Sequence, residues 1–223
     1  MKKHGYTSLT LLTLTSCFTL SSHAALVINE IDYDQPGTDN AEFIELYNTS
    51  ATTLSLNNYS IELINGNNSS RYRSIDLSGF DIAASGYLVV CSNAATVTNC
   101  DFSFTSSNGW FQNGAPDAIG LLENGTLIDS LSYEGVLQPY TKGNVFSQSD
   151  SNSVITSIGR KLDGVDTNDN ASDFELGCIT PGTANVGGSG DCSAPDVSAV
   201  PLPATAWLLA SGVLGLAGFS RRK

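Results

Sequence analysis

Histidine is almost missing from this sequence: of 223 residues, only His4 and His23 carry an imidazole. Both precede the cleavage expected after Ala24, so the mature chain would hold none. That excludes Ser-His-Asp and Cys-His nucleophile pairs, histidine general bases and histidine-ligated zinc together. Positive charge is scarce as well. Ten Lys and Arg face 22 Asp and Glu, and Lys2, Lys3, Arg221, Arg222 and Lys223 all sit in the terminal segments. From Glu30 to Asp196, five cations stand against all 22 acids, a formal charge of −17. Such a field repels phosphate backbones and anionic lipid, which argues against a nucleic-acid partner. The middle of the chain also lacks any sustained 3.6-residue apolar period, so no long amphipathic helix is expected there.

The chain's start has Lys2 and Lys3, a short apolar centre through Leu20, and small residues at Ser22 and Ala24. This is the layout of a secretory signal peptide over residues 1–24, cleaved between Ala24 and Ala25. A membrane anchor is the alternative, but the apolar part is short and rich in Thr and Ser. Leu14-Thr15-Ser16-Cys17 resembles a lipobox, whose cysteine would be lipidated; the apolar run beyond Cys17 argues against it. Removing Cys17 leaves Cys91, Cys100, Cys178 and Cys192, an even number in an exported chain, which reads as two disulfides. Three pairings are possible, and the sequence-local one, Cys91–Cys100 with Cys178–Cys192, is simplest. A four-cysteine metal site would need a C-x-x-C pair, and none is present.

Short runs rich in Ile, Val, Leu and Tyr fill residues 25–183, among them ALVINEIDY, EFIELYN, YSIELIN, RYRSIDL, GYLVVCS, AIGLLE, TLIDSLSY and VITSIGR. Gly, Asn, Asp and Ser turns separate them, and Asn124-Gly125 reads as a two-residue hairpin turn. Many short strands without helices predict an all-β fold, a β-sandwich. Residues 187–199 are Gly/Ser-rich and read as a tether. Residues 200–223 close the chain with Val200-Pro201-Leu202-Pro203-Ala204, an apolar stretch at 204–219 and a basic end. The stretch predicts a single transmembrane helix with the cations on the cytoplasmic side.

Two acidic segments are candidate cation sites. DYDQPGTDNAE holds Asp32, Asp34, Asp39 and Glu42; KLDGVDTNDNASDFE holds Asp163, Asp166, Asn168, Asp169, Asn170, Asp173 and Glu175. Calcium takes six to eight hard oxygen ligands, and the second segment is denser, making Asp163, Asp166, Asn168, Asp169 and Asp173 the calcium candidates. Neither segment fits an EF-hand, and Asx-rich turns also arise for purely structural reasons. A carboxylate pair can run glycoside hydrolysis, so a carboxylate-based hydrolase is the alternative to a binding module.

ALVINEIDYDQPGTDNAEFIELYNTS, the LSLNNYSIEL run and GYLVVC together resemble the lamin-tail domain of exported bacterial proteins. SLSYEG and the segment IGRKLDGVDTNDNASDFELGCITPGTAN resemble that domain's later and closing motifs, carrying the likeness over residues 25–186. The resemblance implies an immunoglobulin-like β-sandwich and no catalytic site. The terminal VPLPA motif, helix and basic end resemble a PEP-CTERM-type sorting signal, with Leu202 standing where the commoner form has Glu. That resemblance implies an exosortase-type processing enzyme as partner and an extracellular polysaccharide setting. The expectation is a non-enzymatic exported module that binds polysaccharide or a surface protein, with a calcium-dependent adhesion module as a further alternative.

Overall fold

Runs of β-branched and aromatic residues become strands wherever a polar turn lets the chain reverse. The computed structural model describes residues 24–104 and 110–188. In order, the elements are β1 (Leu26–Asp32), β2 (Phe43–Asn48), β3 (Leu54–Ser55), β4 (Tyr59–Asn65), β5 (Ser70–Asp76), β6 (Asp81–Ile82) and β7 (Tyr87–Cys91). They continue with β8 (Phe102–Ser103), β9 (Asp117–Glu123), β10 (Thr126–Tyr133), β11 (Ser157–Arg160), one turn of helix α1 (Asn170–Asp173), β12 (Phe174–Cys178) and β13 (Val186–Gly187). The all-β expectation holds.

A seven-stranded sheet runs β13-β12-β11-β1-β2-β7-β8, and a four-stranded sheet runs β10-β9-β4-β5. Pairing is antiparallel except between β7 and β8. The two sheets face each other across one core. Leu26, Ile28, Ile31, Ile44, Leu46 and Val90 come from the larger sheet; Ile61, Leu63, Ile119, Leu121, Leu131 and Tyr133 come from the smaller. Each such side chain, fully buried, contributes about 1.5–3 kcal/mol. This two-layer packing is a β-sandwich, as expected for an immunoglobulin-like domain.

β1 sits mid-sheet and carries one irregularity. Its apolar phase runs Leu26, Ile28, then Ile31 and Tyr33, so strict alternation breaks once. The break is a bulge between Ile28 and Glu30, which keeps both halves facing the core. All seven β1 positions are buried, because the opposite face of this sheet is covered too. There Phe43, Val89, Cys91 and Val97 pack with Ile179 in a second apolar cluster. Glu30 on β1 and Glu45 on β2 are therefore buried although they are acids in the middle of a sheet.

Asn124 and Gly125 take φ angles of 51° and 75°, the two positive values that the hairpin between β9 and β10 requires. The strand expected from VITSIGR is shorter: β11 begins at Ser157, and Val154 and Ile155 stay 54% and 66% exposed. The acidic segment 163–175 is not a single loop. Residues 170–173 form α1, and Phe174 and Glu175 already belong to β12.

Candidate functional site

Arg160 ends β11 with its side chain wholly buried. Its Nη2 donates to Asp129 Oδ2 on β10 at 2.9 Å, its Nε to Ile28 O at 2.7 Å, and its Nη1 to Val165 O at 2.7 Å and Asp173 Oδ2 at 3.3 Å. The guanidinium also lies 4.5 Å from the centre of the Phe174 ring. Asp129 is turned inward by a bulge in β10 between Leu127 and Asp129, and it also accepts from Ile28 N, Ser130 N and Lys142 Nζ. Lys142 Nζ reaches on to Asp166 Oδ2 at 2.5 Å. Two cations thus hold three acids, and the knot fastens one sheet to the other. Burial pushes the Asp166 carboxyl up, but bonds from Lys142 and Asn168 and the charges of Lys142 and Arg160 bring it below its ordinary value.

A second polar cluster covers the other face of β1. Glu30 Oε1 accepts from Ser157 Oγ at 2.5 Å and Thr180 N at 2.9 Å, and Oε2 accepts from Thr180 Oγ1 at 2.8 Å. Glu45 accepts from Asn29 Nδ2 at 2.8 Å and Gly182 N at 2.6 Å. Asp163 accepts from Tyr87 OH, Asn29 Nδ2 and Asn185 N. No cation joins these three carboxylates among the ion pairs of the described residues. Burial therefore lifts Glu30 to about 7 and Glu45 to about 8, against the hydrogen bonds that lower them. The effect is mechanical: the segment 180–185 is strapped onto the sheet at Thr180, Gly182 and Asn185.

The calcium candidates are drawn apart by these bonds. Asp163 belongs to the second cluster, while Asp166 and Asp173 belong to the first; Asp173 also accepts from Thr167 N and Oγ1. Asp169 caps α1 through Ser172 N and accepts from Asn144 Nδ2. Asn168 has a left-handed backbone, φ 60°, and its N–H donates to Asp166 Oδ1. Where calcium was expected, Lys142 and Arg160 supply the positive charge. Among the described residues no three His, Cys, Asp or Glu side chains gather for a metal ion. In the other acidic segment, Asp34 accepts from Asn152 N, Asp39 from Asn113 Nδ2, and Glu42 from Trp110 N and Phe111 N. Burial raises Glu42 to about 8.

Cys91 and Cys100 form a disulfide with their Cα atoms 5.8 Å apart, closing the loop expected of them. Cys178 is disulfide-bonded as well; Cys192 lies outside the described residues. So do residues 1–23, expected as most of a signal peptide, most of the expected tether, and residues 200–223, expected as a sorting motif and helix. Ala24 and Ala25 are described, and their carbonyls accept from Thr49 Oγ1 and Thr49 N. Among the described residues no helix is long and apolar enough to cross a membrane.

The strapped segment borders a cavity of about 520 Å³ walled by Thr98, Asn99, Ile179, Thr180, Pro181 and Asn185 among others. Its lining carries hydroxyl, amide and aliphatic groups; Cys178, the one titratable type there, is disulfide-bonded. A second cavity of about 490 Å³ is lined by Glu134, Gly135, Val145, Phe146, Ser147 and Ser149. Sequence reasoning missed both cavities, because their walls come from loops that carry no motif of their own.

Fold and site together define a disulfide-braced all-β domain whose buried charges are tied into its own scaffold. The pattern of the lamin tail domain family matches residues 19–135, and the chain belongs to that family. The segments that strap β1, residues 157–185, lie beyond the matched stretch. A solved structure, that of a DUF4876 family protein from Bacteroides thetaiotaomicron, is similar at 13% identity and a TM-score of 0.48. That similarity covers 78% of this chain and 75% of the other. No curated protein matches.

Proposed function

We propose that this lamin tail domain protein is an exported, non-enzymatic surface or matrix module that acts by binding, with polysaccharide or a surface protein as ligand. The observation that carries the reading is the contrast between its charges and its larger cavity. Arg160, Asp129, Glu30 and Glu45 are buried and bonded to backbone and neighbouring strands, whereas the cavity wall offers only neutral hydrogen-bonding and aliphatic groups. Neutral donors and acceptors beside aliphatic surface suit binding of an uncharged hydroxylated ligand; proton transfer needs a titratable group within reach. The Cys91–Cys100 bond suits an oxidising compartment, in keeping with export through the signal peptide at residues 1–24.

On the same reading, residues 200–223 are a sorting signal: the helix at 204–219 holds Val200-Pro201-Leu202-Pro203-Ala204 beside the outer membrane face, where an exosortase-type enzyme cuts. A glycan array probed with the purified domain, with generic esterase, protease, nuclease and glycosidase substrates alongside, tests the proposal. Saturable binding without turnover is expected. Robust turnover abolished by a single Asp or Glu substitution would falsify it.

A further inference from the structure

Asp32, the last residue of β1, is wholly buried. Its Oδ1 accepts from Gln35 Nε2 at 2.5 Å, while its Oδ2 is buried and meets no donor. The group within hydrogen-bonding reach of the Asp32 carboxyl is another acid, Asp150, itself 2% exposed. Asp150 is fixed by three donors: Tyr33 N at 3.2 Å, Ser151 N at 2.9 Å and Thr156 Oγ1 at 3.2 Å. Asp34 and Glu134 add negative charge nearby, accepting from Asn152 N and Tyr33 OH. None of the ion pairs among the described residues includes any of these four acids.

We propose that Asp32 and Asp150 together hold a divalent cation of the calcium type, which clasps the end of β1 to the segment 150–156. Two carboxylates in contact away from water cannot both stay ionised unaided: either they share a proton or a cation lies between them. In the acid-rich segment 163–175 that charge is supplied by Lys142 and Arg160; here no side chain supplies it. Three donors on Asp150 favour its ionised form, and Asp32 Oδ2 has no donor. The donors are all hard oxygens, so the site selects calcium or magnesium over zinc or copper, and calcium tolerates an irregular shell completed by backbone and water. The second carboxylate is 118 residues along the chain from the first, which is why no loop motif announces the pair. This proposal does not depend on what the module binds.

The test is thermal unfolding of the purified full-length protein in chelator and in about 5 mM calcium, a level above the 10⁻⁴–10⁻³ M dissociation constants of extracellular calcium modules. The apparent melting temperature should climb by several degrees, saturating with calcium, and Asp32→Asn and Asp150→Asn should each abolish the shift. Asp166→Asn, whose partner is Lys142, should retain it. Asp32→Asn should unfold no earlier than wild type in chelator, because the substitution removes the repulsion. Should a variant fail to fold, terbium luminescence of the wild type, sensitised through Tyr33 and displaced by calcium, replaces it. Absence of any calcium-dependent shift or calcium-displaceable luminescence overturns the proposal, and with it any cation at a pair that merely shares a proton. A shift that survives both substitutions overturns it too.

Discussion

Asp129 and Arg160 stand 31 residues apart in the chain and meet at 2.9 Å as a wholly buried ion pair that joins one sheet of the sandwich to the other. Pairing of this kind adds little net stability against an apolar alternative, but breaking it is costly because the remaining charge has no water. Among the described residues, Arg160→Ala leaves Asp129 with Lys142 as its one cation and Asp173 with none, both still buried. Urea unfolding should show a loss of about 3–5 kcal/mol, far above an ordinary surface substitution. Asp129→Leu combined with Arg160→Met should recover part of that loss, and recovery of none would mean that the backbone bonds of Arg160 dominate.

The Cys91–Cys100 disulfide closes a nine-residue separation at the edge of the second apolar cluster. Replacing both cysteines with serine should lower stability by about 2–3 kcal/mol. Non-reducing peptide mapping should recover Cys91 linked to Cys100; a peptide linking Cys91 to Cys178 would contradict the pairing.

Glu42 and Glu45 set an unusual pH dependence. Their folded-state values near 8 lie above the ordinary 4.5, chiefly through burial. The folded chain therefore holds more protons than the unfolded chain between those values, so stability falls as pH rises through that window. The contribution is complete below about 4.5 and lost as the pH passes 8. Melting temperatures measured from pH 5 to pH 8.5 should decline, and Glu45→Gln should flatten the decline. A rise over that range would contradict the assignment.

Gly182 takes a φ of 78°, and a Cβ there would stand 2.6 Å from Asn99 Cβ. Gly182→Ala should loosen the strap beneath the larger cavity and cost about 1–3 kcal/mol through backbone strain. Hydrogen exchange should show lost protection at Thr180, Gly182 and Asn185 before the rest of the sheet.

The strands were largely legible because apolar alternation and turn residues are local signals; TLIDSLSY and the Asn124-Gly125 turn are where the pattern puts them. β12 was not legible, because FELGC looks like the tail of an acidic loop and its partner strand lies outside it. The acidic residues were visible as chemistry and illegible as geometry. Density of Asp in 163–175 suggested a cation site, yet Lys142 and Arg160, from outside that segment, supply the positive charge there, and the bulge in β10 turns Asp129 in to meet them. The buried pair without compensation, Asp32 with Asp150, is split across two distant segments.

Binding without reaction is the behaviour proposed for this chain, and one measurement meets it directly. The purified protein is incubated with matrix polysaccharide from the producing cells, and both are followed by size-exclusion chromatography with light scattering. The protein should co-elute with polysaccharide whose chain length does not change over hours. Polysaccharide that shortens with time, and no longer shortens when a single carboxylate is replaced by its amide, would contradict the account.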